Sequence, residues 1–285
     1  MPLENEPFKN EWTDDTASEI DRYWSTSIME MGIHAIEGLG CLEYCKVGGS
    51  ILEVGCGTGH IWDILKGTNI GKYTGLDISP AMLKIFKNKA PDIDLIEGNS
   101  AALPFADDSS DATICMEVIR HITNFEDTIR ELYRVAKRVA IFSIEVVEGP
   151  SVYKGEDRRG SYINSKEPFV HYQVEHNATD FMTWLGKEFN CKIEIRPISG
   201  NKWLFALCKD DPTPNWVLKP IHGITELVGL LSNLLSDALS ILKDDTSRMP
   251  MLKVETSVKS VIPLEIRFVG RIIKVDEEKD NVKGV

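Results

Sequence analysis

The sequence predicts an α/β protein in which helices cover both faces of a doubly wound, mostly parallel sheet. First, an apolar, β-leaning run at residues 51–54 passes directly into a glycine-rich turn at residues 55–59, which reads GCGTG, and then into a helical segment. Strand, glycine turn and helix form the ligand crevice of open α/β sheets. Second, a strand at residues 72–77 ends in Asp77, about 20 residues beyond the turn. Because parallel strands end at the same edge of a sheet, we expect both segments to face one ligand.

The pattern of strands and helices continues along the chain. Residues 93–99, 111–116 and 138–147 read as further strands, and residues 191–198 and 202–208 as an antiparallel pair joined by a turn. These segments predict a seven-stranded sheet whose last strand is reversed.

The two ends of the chain differ from this central part. Apolar residues recur at helical spacing over residues 16–45, which predicts two amphipathic helices broken near Gly38 or Gly40. A Pro-rich segment at residues 211–214 predicts a boundary. The expected divisions are a helical cap over residues 1–49, a core over 50–209 with a long polar insertion at about 148–177, and an extension over 210–285 with a helix at 221–242 and strands at 251–257 and 262–275.

Composition excludes several classes of function. The formal net charge of −12 argues against nucleic acid as a partner, since binding to phosphates needs a lysine and arginine surface. No apolar run approaches the roughly 20 residues that span a bilayer, and the polar N-terminus lacks the pattern of a signal peptide. We therefore expect a cytoplasmic protein. Its six cysteines have no zinc or redox spacing, so we predict reduced thiols and no metal site.

The glycine turn distinguishes between two kinds of ligand. A dinucleotide fingerprint requires a third glycine for close helix packing, and His60 occupies that position when counting from Gly55. Glu53 would also repel a pyrophosphate at the end of its strand, whereas a carboxylate there suits a cation. A sulfonium amino acid therefore fits better than a dinucleotide.

Residues 53–59, with the pattern E-x-G-x-G-x-G, resemble motif I of the class I S-adenosylmethionine-dependent methyltransferases, and residues 75–83, GLDISPAML, match the motif that follows it. The motifs between residue 51 and about residue 147 resemble the methylase type 11 group, which includes quinone-biosynthesis and glycan-modifying enzymes. The resemblance implies a Rossmann-like methyltransferase fold, S-adenosylmethionine as cofactor and S-adenosylhomocysteine as product. It also implies methylation of an oxygen or nitrogen on a small molecule such as a sugar or quinol.

The resemblance assigns roles at the crevice. Asp77 would accept hydrogen bonds from both ribose hydroxyls, Ile78 and Met82 would flank the adenine, and Asn99 would accept from the adenine amino group, where the family usually has an acid. An aromatic residue of the N-terminal cap, Tyr23 or Trp24, would cover the pocket. The expected cofactor-binding residues are Glu53, Gly55, Cys56, Gly57, Gly59, Asp77, Ile78, Met82, Asn99, Ser100, Ala101, Met116, Glu117, His121 and Tyr23.

The polar insertion would hang over the open side of the crevice, and we expect the methyl acceptor to bind there. A hydroxyl acceptor needs a general base. The candidates are His171, His176 and His121, with Tyr172 a weaker one.

Two other functions remain open at this point. A nicotinamide-dependent oxidoreductase would bind NADH, although His60 counts against it. A non-catalytic cofactor-binding scaffold protein would use the C-terminal extension as its working part. The leucine-rich helix of that extension also favours a homodimer.

Overall fold

The computed structural model describes residues 12–122, 125–147, 149–157, 170–199 and 202–219, without the side chains of residues 28, 29, 152–157, 170–173 and 199. Its centre is a ten-stranded sheet. The strands are β1 (Ser50–Val54), β2 (Lys72–Asp77), β3 (Asp94–Glu97), β4 (Ser110–Cys115), β5 (Ala136–Val147), β6 (Val152–Asp157), β7 (Val170–Asn177), β8 (Lys192–Ser199), β9 (Lys202–Cys208) and β10 (Trp216–Leu218). The helices are α1 (Asp14–Thr26), α2 (Ile28–Leu42), α3 (His60–Leu65), α4 (Pro80–Lys89), α5 (Phe125–Val135) and α6 (Ala178–Glu188), with a 3₁₀ turn at Ile119–His121.

The strand order confirms the predicted fold class. Strands β3, β2, β1, β4 and β5 lie side by side and run parallel. Strand β9 pairs antiparallel with β5 on one side and with β8 on the other. The seven predicted strands are therefore present, with the last one reversed between its neighbours.

Three further strands were not predicted. The polar insertion contains an antiparallel hairpin of β6 and β7, and β7 also pairs with the last two residues of β5. The sequence analysis assigned no strand to the polar insertion, so these two strands are a correction to it. Beyond the predicted boundary, β10 adds a parallel edge strand beside β8, so the segment after residue 210 begins within the sheet.

Both faces of the sheet are buried, as expected of a doubly wound fold. Side chains alternate along each strand, so that Leu52 and Val54 of β1 join one apolar cluster while Ile51 joins the other. The first cluster includes Phe142 and the second includes Phe86.

The break between the two N-terminal helices lies at Ser27, not at Gly38 or Gly40 as predicted. Ser27 lies between α1 and α2, and its side chain accepts a hydrogen bond from the Glu30 N–H as the cap of α2. A Cβ at Gly38 would come within 2.7 Å of Ile64 Cγ2, and one at Gly40 within 2.9 Å of a Leu204 side-chain carbon. Both glycines therefore allow α2 to pack closely on its neighbours.

Several predictions fall outside the described residues. These are the helix at residues 221–242, the strands at 251–257 and 262–275, and the homodimer contact through that extension. Among the helices described, none is long and apolar enough to cross a membrane.

Candidate functional site

The glycine turn after β1 uses its three glycines in two ways. All three have positive φ, at 75° for Gly55, 51° for Gly57 and 92° for Gly59, a conformation that favours glycine. A Cβ at Gly55 would lie 2.0 Å from Val118 Cγ2, and one at Gly59 would lie 2.6 Å from the Phe86 ring. A Cβ at Gly57 would meet only the Trp24 ring, at 3.8 Å. The outer glycines thus permit packing, and Gly57 leaves room beside the turn.

Asp77 ties the turn to the end of β2. One carboxylate oxygen accepts the Gly57 N–H and the other accepts the Ser79 N–H, both at 2.8 Å. Burial raises the pKa of Asp77, while these backbone N–H groups oppose that rise. A carboxylate has about four acceptor positions, and the backbone N–H groups of Gly57, Ser79 and Ile78 leave at least one of them for a ligand hydroxyl.

Glu53 lies near Asp77, but its carboxyl group is inside the protein. It is 2% exposed and accepts a hydrogen bond from the Tyr73 hydroxyl, whose ring packs 4.8 Å from that of Trp62. Burial raises the pKa of Glu53 to about 8, and the charge of Asp77 adds to the rise. This pKa favours the protonated form of Glu53 at neutral pH in the structure without a ligand, and the attraction of a cation by its carboxylate stays a prediction.

The residues that we expected to contact an adenine lie at or beside the carboxyl edge of the sheet. Asn99 is exposed, and its Oδ1 accepts the Ala101 N–H at 2.9 Å. Ser100 shares a hydrogen bond of 2.9 Å with Thr128. Met82 is buried among α1 and α4 side chains that include Ile20, so it supports this edge from beneath α1. Cys56 is buried and Ile78 is half-buried.

Helix α1 covers the glycine turn through Trp24 and Asp21. The Trp24 ring contacts the rings of His60 and His34 edge-on, at 5.2 and 5.8 Å between centroids. Asp21 accepts from the Thr58 hydroxyl at 2.6 Å and from Lys89. Hydrogen bonds from His60, Lys89 and Thr58 hold the pKa of Asp21 below its ordinary value, although burial opposes them.

Tyr23, which the sequence prediction placed at the pocket, donates its hydroxyl to Glu30 at 3.4 Å instead. It is Trp24, the other aromatic residue considered, that lies beside Gly57. Trp24 is therefore the aromatic residue through which the helical cap contacts the glycine turn.

The segment after β4 places the charged side chain of Glu117 at the same edge of the sheet. Met116 is buried, and Glu117 has a left-handed backbone at φ 61°. The side chain of Glu117 pairs with Lys202 and, at 3.1 Å, with Arg120. His121 ends the 3₁₀ turn and is half-buried.

Of the predicted general bases, the structure describes the side chains of His176 and His121 only. His176 is 6% exposed, its ring lies 4.5 Å from that of Phe125, and its Nε2 has no hydrogen-bond partner among the described residues. Burial lowers the pKa of His176 to about 4, so this imidazole is neutral and enclosed. The side chains of His171 and Tyr172 lie outside the described atoms.

Sequence reasoning missed Glu37 and Lys202, which lie beside Glu117. Glu37 is fully buried in α2, and Lys202 is 7% exposed at the start of β9. The sequence around each residue could have indicated its burial. Glu37 interrupts the apolar run IHAIEGLGCL, and Lys202 begins the apolar strand KWLFALC. A single charged residue is usually exposed to solvent, so the sequence alone did not distinguish Glu37 and Lys202 from ordinary surface residues.

Comparison with known proteins agrees with this geometry. A family model described as a methyltransferase domain matches residues 52–144. The demethylmenaquinone methyltransferase of Listeria welshimeri is 38% identical over 98 residues, which cover 32% of this chain and 41% of that protein. The demethylmenaquinone methyltransferase of Paenarthrobacter aurescens is 30% identical over 137 residues, 48% of this chain and 54% of that protein. The matched segments thus span about half of these relatives or less.

Solved structures share the fold over a longer stretch. A complex of DhpI with SAH superposes with a TM-score of 0.52 at 18% identity, covering 70% of this chain and 94% of that one. An S-adenosylmethionine-dependent methyltransferase from Clostridium acetobutylicum has a TM-score of 0.51 at 15% identity, covering 67% and 98%. The resemblance read from the motifs is confirmed over residues 52–144, which match the methyltransferase domain model, and the sheet has the Rossmann-like fold of these solved structures.

Proposed function

We propose that this protein binds S-adenosylmethionine at the glycine turn and transfers its methyl group to an oxygen or nitrogen of a small-molecule acceptor. The observation that carries the proposal is the position of Asp77, which bridges the Gly57 and Ser79 N–H groups at the carboxyl edge of the sheet. A carboxylate so placed suits the vicinal hydroxyls of a ribose.

The residues present fit the cofactor. Gly57 has open space on the side where a Cβ would point, apart from Trp24 at 3.8 Å. Asp77 supplies negative charge to this edge, which favours a sulfonium cation over a pyrophosphate, whereas the charge of Glu117 is balanced by Lys202 and Arg120. The His60 ring, stacked on that of His34 at 5.1 Å, occupies the position of the third glycine of a dinucleotide site, so a nicotinamide cofactor is not favoured.

The bound cofactor supplies an electrophilic methyl group. The protein must then place the acceptor in line with the breaking C–S bond and exclude water. Trp24 and α1 cover the glycine turn, while the β6–β7 hairpin follows β5 at the same edge. We assign the acceptor to the space between them, within the expected core over residues 50–209 and next to the described part, residues 12–49, of the expected cap over residues 1–49.

The acceptor class that we favour is a quinol, with a sugar as the second choice. Two relatives that match the motif segment are named demethylmenaquinone methyltransferases. That name supports a ring-bearing acceptor, and the acceptor assay should include a demethylated quinol.

The test is calorimetry with S-adenosylmethionine, S-adenosylhomocysteine and NADH on the full chain. We expect heat with the first two ligands only. Asp77→Ala should weaken binding by about tenfold or more, since hydrogen bonds to a charged group contribute about 1.5–3 kcal/mol each. Asp63→Ala, on the exposed surface of α3, is the matched control. Circular dichroism must show that Asp77→Ala is folded, because two N–H groups lose their acceptor. Folded wild-type protein that binds neither sulfur ligand would refute the proposal.

A further inference from the structure

Helix α1 lies over the place where the glycine turn and Asp77 meet. Near its C-terminal end, the Trp24 ring would be 3.8 Å from a Cβ at Gly57. Just before its N-terminal end, the Trp12 carbonyl oxygen accepts from the Ser79 hydroxyl at 3.5 Å. Gly57 and Ser79 are the residues whose N–H groups donate to Asp77. A ligand diol bound to Asp77 would therefore lie next to α1.

The helix helps to close this part of the protein to solvent. Asp77 is 9% exposed, and α1 packs against Ala81 and Met82 of α4, the helix that begins just after Asp77. A nucleoside is much larger than the opening that such a small exposure implies. We therefore expect α1 to move when a ligand reaches or leaves Asp77.

The apolar contact of α1 is small and separate from the main core. Its buried apolar residues are Ala17 and Ile20. They form a cluster with Ala81 and Met82 that is distinct from the two larger clusters against the sheet. Helix α2, in contrast, contributes Cys41 to one of the larger clusters. Because apolar stabilisation scales with the area buried, polar contacts have a large share in holding α1 in place.

One polar residue joins α1 to three other elements. Asp21 accepts from the Thr58 hydroxyl of the glycine turn at 2.6 Å and pairs with Lys89 at the end of α4. It also lies 3.3 Å from Nε2 of His60, at the start of α3. Its side chain is 18% exposed, and partly buried charges are screened less than exposed ones. Asp21 thus connects α1 to the turn, to α3 and to α4 at once.

A second ion pair joins the same two helices at the surface. Asp14, at the N-terminal end of α1, pairs with Lys84 of α4 at 2.6 Å, and the two side chains are 66% and 65% exposed. Exposed pairs of this kind contribute little to stability. Asp14 is therefore the natural control for Asp21, since both are aspartates of α1 that pair with a lysine of α4.

The chain can bend where α1 joins α2. Ser27 alone separates the two helices, and its backbone is extended, with φ −83° and ψ 113°. Helix α2 is fixed on the core, because Gly38 packs against Ile64 of α3. Just beyond its end, Tyr44 donates to Glu194 of β8 at 2.8 Å. Residues at the ends of elements commonly act as hinges, and rotation at Ser27 would move α1 while α2 stays in place.

We propose that α1 is a lid over the cofactor site, that it opens about Ser27, and that Asp21 holds it closed. Opening precedes both entry and release of the ligand, so Asp21 sets the rates of both. Asp21 stabilises the closed form with or without ligand, and the affinity should therefore depend on it only weakly. The inference rests on the proposed function, since the ligand is the cofactor of that reaction.

The first experiment measures entry and release of S-adenosylhomocysteine on the full chain by stopped-flow tryptophan fluorescence. Asp21→Asn keeps the size of the side chain but removes the charge that Lys89 and His60 face. We expect both rate constants to rise about tenfold, with a dissociation constant within about threefold of wild type. Lys89→Met should raise both rates as well. Asp14→Asn should leave both within about twofold of wild type.

The two rate constants distinguish a lid from a residue that only supports the bound form. Loss of such a support would speed release alone and weaken the affinity by the same factor. Faster release of S-adenosylhomocysteine from Asp21→Asn with an unchanged rate of entry would therefore overturn the proposal. Release at the wild-type rate would overturn it too.

A second measurement needs no ligand. Away from the protein, a helix of 13 residues is only marginally stable, so an open α1 exchanges its amide hydrogens quickly. Hydrogen exchange followed by mass spectrometry should be faster over α1 in Asp21→Asn than in wild type or Asp14→Asn, with α2 unchanged. Equal exchange over α1 in the three proteins overturns the proposal.

Failure of the proposed function has a different signature. Wild-type protein that binds no S-adenosylhomocysteine overturns the proposed function, and with it the role of α1 in exchange of that ligand. Faster hydrogen exchange over α1 in Asp21→Asn would then still show that Asp21 holds the helix closed.

Discussion

Glu53 should make the protein less stable as the pH rises toward neutrality, and Glu53→Gln should remove that loss. The carboxyl group is 2% exposed and accepts a hydrogen bond from the Tyr73 hydroxyl. Its pKa is raised from 4.5 to about 8, first by burial and then by Asp77. The folded protein therefore keeps the proton at a pH where the unfolded chain releases it.

The sign and size follow from linkage. Where the unfolded state binds fewer protons than the folded state, the free energy of unfolding falls by about 1.4 kcal/mol per pH unit. The window opens at the unfolded pKa of 4.5 and closes at about 8. Between about pH 5 and pH 7, Glu53 should thus remove about 2–3 kcal/mol of stability. Glu53→Gln cannot ionise and lacks this slope.

The assay is urea unfolding of both proteins across that pH range. The difference between their free energies of unfolding should grow with pH, and a constant offset from the altered side chain does not affect the slope. Glu97→Gln, at the exposed end of β3, which is separated from β1 by β2, is the matched control and should follow the wild type. Parallel curves for wild type and Glu53→Gln would refute the assignment of a protonated, buried Glu53.

Two further predictions concern packing and acid stability. Gly55→Ala should lower the free energy of unfolding by about 2 kcal/mol or more, because φ at this position is 75° and the added Cβ would lie 2.0 Å from Val118. Gly67→Ala is the control, since a Cβ at Gly67 would have no atom within 4 Å. This variant should melt within a few degrees of wild type. Burial lowers the pKa of His176 from 6.5 to about 4, so the free energy of unfolding should fall by about 1–3 kcal/mol as the pH drops from 6.5 to 4. His176→Phe should reduce this loss in acid unfolding curves. The part of the loss that remains should come from His34, whose pKa is lowered to about 3. An unchanged acid slope in His176→Phe would contradict the buried, neutral imidazole.

The local motifs predicted most of the central sheet. The run of residues 51–59 predicted a strand, a tight turn and a helix start, and the structure places them at β1, the glycine turn and α3. The run of residues 75–83 matched a motif, and in the structure its Ser79 caps α4 by accepting the Met82 N–H. Such features depend on neighbours in the chain, because turns, caps and alternation are local.

Predictions failed where the partner is distant in sequence. Gly38 and Gly40 look like helix breakers until Ile64 and Leu204 are seen to pack against them. Local composition suggested a break in the helix, and these tertiary contacts explain why a glycine stands at each position. The pKa of Glu53 likewise depends on the folded chain, because burial raises it.

The sequence by itself determined the fold class, the glycine turn and the acid at the end of β2, since each is written in a contiguous run whose geometry follows from propensity and periodicity. Only the tertiary structure decided that Glu37, Glu117 and Lys202 meet at one edge, because they come from a helix and two strand ends that the fold brings together. Their protonation depends on burial and on each other's charge, and neither quantity exists until the chain has folded.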